Sequence, residues 1–284
     1  MKFDFQTRRH WTDRIMTTLC GVAVLVAFIP LFSLLFYVAS KGVHRFDLSF
    51  FTHLPAPVGE VGGGMANAVW GTLTLVALAG MVGIPVGLLA GIYLAEFGGK
   101  GTFATVVRFT ADVLSGVPSI VTGIVAYQLV VRPMGHFSAF AGGIALGFMM
   151  IPMVTRTTEE LVKMIPLSVR ESAWALGIPQ WKTVLRVVVA TARNGILTGV
   201  LLAIARIAGE TAPLLFTAFN NQYWSGSPNQ PTASLTVQVF TYAISPFDDW
   251  HAQAWTGALT LLLLVLGINL AARWLFKNSS QVLR

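Results

Sequence analysis

Apolar stretches fall at residues 19–39, 68–95, 113–131, 137–155, 195–219 and 252–272. Each is close to the ~20 residues with which an α-helix crosses ~30 Å of hydrocarbon, so the pattern predicts six membrane spans. The six-span domain covers 19–276, with a segment 1–18 before it, a long polar connection at 156–194 within it and a tail at 277–284. No internal repeat is visible. The first apolar run follows Arg8, Arg9 and Arg14 and ends in small residues, as a secretory signal does. It exceeds the roughly 7–15 residues of a signal's apolar region, so it is expected to remain as the first helix.

Within the spans the small and helix-breaking residues are not evenly spread. Gly83, Gly87 and Gly91 recur every four residues, a spacing that lets a neighbouring helix approach closely. The third span carries "SGVPSIVTG", whose Ser115, Ser119 and Thr122 either line a polar path or bond their own helix. In the 156–194 connection, Pro166, then Ser168 and Glu171 at capping-box spacing, then Gly177 predict a short helix over 169–176. Pro179 opens a second helix, with Trp181, Val184 and Leu185 on one face and Lys182 and Arg186 outside. Ala173, Trp174 and Leu176 then surround a small surface. This is either a docking knob for another protein or an amphipathic hairpin on the membrane; spacing alone does not separate the two.

Composition agrees with the spans: 55% of the 284 residues are hydrophobic, 11% are charged and the mean hydropathy is +0.69. Such a chain is an integral membrane protein, not a soluble globular one. Fifteen of the nineteen Lys and Arg lie in 1–18, 96–112, 156–194 and 273–284; three lie in the alternate connections. The positive-inside bias therefore places both termini and 156–194 in the cytoplasm. Residues 220–250, without Lys or Arg but with Asp248 and Asp249, are expected outside. The net charge of +7 is mostly this cytoplasmic excess, with anionic membrane lipids as partner; no nucleic-acid motif accompanies it. The single Cys20 excludes an intramolecular disulfide, and the scattered histidines offer no metal-ligand spacing. "EFGGKG" at 96–101 is not a phosphate loop, because Leu94 stands where the first glycine belongs and Gly101 follows the lysine. No nucleophile–base pair or H-E-x-x-H motif marks an intramembrane enzyme, so no catalytic site, cofactor or metal is expected.

Five of the six spans hold no Asp, Glu, Lys or Arg; the exception is "LLAIARIAGETAPLLF" at 201–216 with Arg206 and Glu210. Arg206 lies about 18 Å along a helix from Asn194, where insertion of a charge costs about 2.5–3.5 kcal/mol. Four residues apart, the two share a helix face and are placed to form an ion pair pointing into the bundle. Either the pair joins helices, or Arg206 offers its planar fork to an oxyanion while Glu210 keeps the empty site near neutral and Thr211 adds a hydroxyl.

"ESAWALG" at 171–177 resembles the E-A-A-x-x-x-G motif of bacterial ABC-importer permeases, with Ser172 in place of the first alanine. "ARIAGETAPLLFTAFNNQYW" at 205–224, "GTLTLV" at 71–76 and "GLLAGIYLAEF" at 87–97 resemble the permease pair of phosphate-specific (Pst) ABC importers, nearer the A subunit than the C. The likeness covers roughly 60–284. It implies an all-α, six-span type I ABC-importer permease fold with cytoplasmic coupling helices, in the bacterial inner membrane. It also implies phosphate as substrate, a C-type partner permease, two cytoplasmic ATPase subunits and a periplasmic phosphate-binding protein. In that reading Glu171, Ala173, Trp174 and Gly177 couple to the ATPase, and Arg206, Glu210, Thr211 and Ser119 belong to the substrate path. An importer for another oxyanion, and a stand-alone anion channel, remain as alternatives.

Overall fold

The computed structural model describes residues 3–99 and 101–277. Apart from Lys277, the 277–284 tail lies outside them. The helices are α1 (Phe3–Gly42), α2 (Leu48–Thr52), α3 (Ala66–Glu96), α4 (Thr102–Gly116), α5 (Ser119–Ala126), α6 (Arg132–Met134), α7 (Ala139–Lys163), α8 (Leu167–Ala175), α9 (Gln180–Thr183), α10 (Val189–Ala208), α11 (Ala212–Leu215), α12 (Leu235–Ala243) and α13 (Asp248–Lys277). Two π-helical stretches, Tyr127–Val131 and Val184–Val188, carry α5 into α6 and α9 into α10 without interruption.

Among the described residues, five continuous stretches are long and apolar enough to cross a membrane: Arg8–Arg45, Ala66–Glu96, Ala139–Lys163, Gln180–Ala208 and Asp248–Trp274. A sixth, Thr102–Gly116 with Ser119–Met134, is bent by 106°. The third predicted span is thus a broken one. Pro118 lacks an N–H and disfavours helical backbone at the residue before it, and Val117 is extended at φ −69°, ψ 129°. The fifth span also differs from the reading at 195–219: it starts at Gln180 and stops at Ala208.

The core is built on α3 against α7. A Cβ added at Gly83 would lie 2.8 Å from the Met150 Cβ, one at Gly87 2.7 Å from that of Val154, and one at Gly91 2.6 Å from that of Thr158. The glycine stripe is therefore a notch filled by α7, and Leu75, Ala79, Leu146, Met150 and Val154 are buried along the seam. By contrast α1 touches the bundle near its end, where Tyr37 meets Trp255 edge-on at 5.1 Å and the Thr256 hydroxyl donates to the Gly42 carbonyl at 2.8 Å. Its apolar body is otherwise exposed, as suits a helix solvated by lipid tails.

Residues 220–250 are not simply an outer loop. α12 folds back against α13 and α3, burying Leu235, Val237, Gln238 and Tyr242. Its start is pinned by the Ser234 hydroxyl, which caps Val237, and by Thr72, whose hydroxyl accepts from the Leu235 N–H at 2.8 Å.

Candidate functional site

Two interrupted helices meet at Arg206. α10 ends at Ala208 with Gly209 as its cap, and Pro213 in the first turn of α11 keeps the chain from continuing as one helix. α11 lies against α5, so closely that a Cβ at Gly123 would sit 2.6 Å from the Pro213 Cα. Arg206 and Ile207 of α10, Leu114 and Ser115 of α4, Val117 at the break, and Met149 and Met153 of α7 enclose a cavity of about 20 Å³. The α4–α5 break and the end of α10 thus share one small space beside a charged group. Non-helical backbone at membrane depth occurs where it is buried in protein or lines a polar cavity.

Arg206 is exposed, whereas Glu210, Thr211 and Ser119 are half-buried. Among the described residues, none of these four side chains makes a hydrogen bond or ion pair. The expected Arg206–Glu210 pair is therefore absent. The physical reason is the helix end: Glu210 lies beyond Ala208, so the four-residue spacing no longer places the two on one face. The Glu210 carbonyl instead accepts from the Thr236 hydroxyl at 3.0 Å, joining the break to α12. Ser115 bonds its own helix at the Ala111 carbonyl, 2.9 Å away, a purely local partner.

A second candidate surface lies on α8. The helix begins two residues before the expected start, with Pro166 as its cap, so Ser168 is already inside the first turn and the Ser168–Glu171 capping box does not form. The far end is as the glycine suggests. Gly177, at φ +74°, donates to the Trp174 carbonyl at 2.8 Å while Ile178 donates to that of Ala173 at 3.2 Å, which closes a Schellman motif. Leu167, Trp174 and Leu176 are exposed, with Glu171 beside them. Ala173 is buried and does not belong to the exposed surface. Beyond Pro179, Val184 turns inward, but Trp181 and Leu185 stay exposed, so the three do not share one buried face.

A charged lattice at the α8 end of the bundle had no place in the reading of the spans. Glu159 of α7, its side chain 2% exposed, accepts from Arg108 at 2.6 Å, Lys163 at 2.5 Å and Arg156 at 3.0 Å. Arg156 also grips Asp112 of α4 with two bonds, at 2.7 and 2.6 Å. The intrahelical part was legible, since Arg156, Glu159 and Lys163 sit three and four residues apart. The links to Arg108 and Asp112 cross between helices and left no local signal.

Residues 83–281 match the family described as binding-protein-dependent transport system inner membrane component. The chain is 45% identical to the phosphate transport system permease protein PstA of Yersinia pestis, over 97% of this chain and 94% of that protein. It is 42% identical to the PstA permease of Haemophilus influenzae, over 98% and 99%. Among solved structures, a chain of the MetNI methionine ABC transporter in inward-facing conformation superimposes with a TM-score of 0.63 at 18% identity, over 75% of this chain and 95% of that one. This last likeness concerns the fold, a type I ABC-importer permease fold.

Proposed function

We propose, for a chain that belongs to the family of binding-protein-dependent transport system inner membrane components and to its PstA-type phosphate permeases, that it is the membrane-spanning subunit of an ATP-driven phosphate importer. It has no ATPase site of its own; ATP is hydrolysed by separate subunits, and a partner permease completes the membrane part. The finer assignment is a C-type permease beside it, two cytoplasmic ATPases, one of them docked on α8, and a periplasmic phosphate-binding protein at the opposite end. Both termini lie in the cytoplasm.

The observation that carries the site reading is Arg206, a guanidinium without a partner among the described residues, at the meeting point of two helix breaks. A planar fork in a partly dry site binds a phosphate oxyanion through paired, charge-assisted hydrogen bonds. Ser119 and Thr211, also unpartnered, supply hydroxyls, and Glu210 accepts from a P–OH group, which sulfate lacks at neutral pH. On α8, Trp174 and Glu171 form the exposed ATPase contact, while buried Ala173 and the Gly177 cap fix its shape.

Arg206→Gln tests the path: assembly persists and phosphate uptake falls by about tenfold to a hundredfold, the worth of a charged hydrogen bond. Undiminished uptake at normal protein levels would overturn it. Orientation is checked with cysteines: one at Ser227 reacts with an impermeant thiol reagent in outer-membrane-permeabilised cells and one at Ser168 does not. The reverse pattern would refute the topology.

A further inference from the structure

α8 is small and mostly exposed, so its attachment to the bundle decides what a push on it can move. Besides packing on the π-helical stretch before α10, it sends one side chain into the bundle, that of Arg170. This guanidinium bonds Glu96, the last residue of α3, at 2.5 Å, with further contacts at 3.1 and 3.2 Å. The same group donates to the carbonyls of Ile165 at 2.5 Å and Val162 at 3.0 Å, at the end of α7. The ion pair is nearly dry, with side chains 11% and 6% exposed. Glu96 sits at the negative end of the α3 dipole, where a carboxylate is disfavoured unless a cation answers it. One guanidinium therefore neutralises the end of α3 and satisfies terminal carbonyls of α7, and those are the two helices locked together by the glycine notch.

We propose that Arg170 is the positioning residue through which movement of α8 reaches the α3–α7 pair, with Glu96 as its anchor. The inference rests on the reading of α8 as the ATPase contact. A force on α8 has three outlets: the three-residue link back to α7, the packing on the helix that runs into α10, and the Arg170–Glu96 clamp to α3. With the clamp intact, α8 carries α3 and α7 as one body. Without it, α8 keeps only its short chain link to α7 and its packing against α10, and α3 loses its direct tie to α8.

The test uses the complete transporter in proteoliposomes, with Arg170→Gln, Glu96→Gln, Arg170→Lys and the double Gln variant. The ATPase subunit stays bound and basal ATP hydrolysis stays within about twofold, while phosphate uptake per ATP falls by about tenfold in either Gln variant. Arg170→Lys, which keeps the charge without the fork, recovers part of that loss. The double variant leaves no unpaired charge and still transports poorly per ATP. Recovery of the parental ratio in the double variant, or uptake and hydrolysis falling in parallel with the amount of complex, would show a merely structural pair and overturn the proposal. So would an unchanged ratio in both single variants. Trp174→Asp separates the premise: continued ATPase binding and uptake in that variant would remove the docking reading itself, whatever Arg170 does.

Discussion

The α3–α7 seam and the face around Arg206 are both built from membrane helices, yet they solve opposite problems. Along the seam three glycines admit side chains of α7, and polar groups at its end are gathered around Glu159. Around Arg206, two helices are broken, small space is left open, and four polar side chains have no partner among the described residues. In hydrocarbon an unsatisfied polar group is disfavoured by several kcal/mol, so the second arrangement persists only where something outside this chain completes it. Under the proposed function, the seam is the frame and the face around Arg206 the working surface. A transporter needs both, because broken helices can rearrange around a substrate only if an unbroken pair holds them in place.

The contrast can be attacked from either side. The largest effect is expected at Glu159. Glu159→Ala leaves Arg108, Arg156 and Lys163 around an empty carboxylate position, and breaking such a pair from one side lowers stability by about 3 kcal/mol, given that the cations are partly solvated. Thermal unfolding in detergent should register this as a sharply lower apparent melting temperature, and an unchanged value would make the lattice ornamental. Next comes the notch. Gly87→Leu drives a side chain into Val154 and should cost about 1–3 kcal/mol, whereas Gly116→Ala, with no atom near its added Cβ, should cost about 0.5 kcal/mol or less. Equal losses at the two positions would erase the distinction between frame and break. The smallest effect belongs to the hydroxyls. Ser119→Ala with Thr211→Val should leave the melting temperature unchanged and weaken phosphate uptake by about threefold to tenfold, the worth of neutral hydrogen bonds. A fall in stability with normal uptake would place them in the frame instead.

Much of the frame was readable from local pattern. The glycine period in α3 announced close packing, and the Gly177 stop after "ESAWAL" announced the end of α8 in its proper place. The start of α8 was misread because Pro166 itself serves as the cap, which removes the need for a Ser168–Glu171 box. Pro118 and Pro213 signalled trouble for a helix, but a proline in a membrane helix is compatible with a mild kink: Pro85 and Pro152 lie inside α3 and α7, which continue through them. Which proline breaks a helix depends on the neighbours available to satisfy freed backbone groups.

The sequence by itself determined the membrane class, the approximate spans, the short helix outside them and the isolation of Arg206 in an uncharged stretch. These follow from hydropathy, capping and the energetic burden of a charge in hydrocarbon, all of which act within a few residues. Tertiary structure decided that Glu210 leaves the face of Arg206, that the α4–α5 break opens beside it, and that Arg108 with Glu159 and Arg170 with Glu96 join separate helices. Those pairs are 51 and 74 residues apart in sequence, and only the packing of α3, α4, α7 and α8 against one another brings them within hydrogen-bond reach.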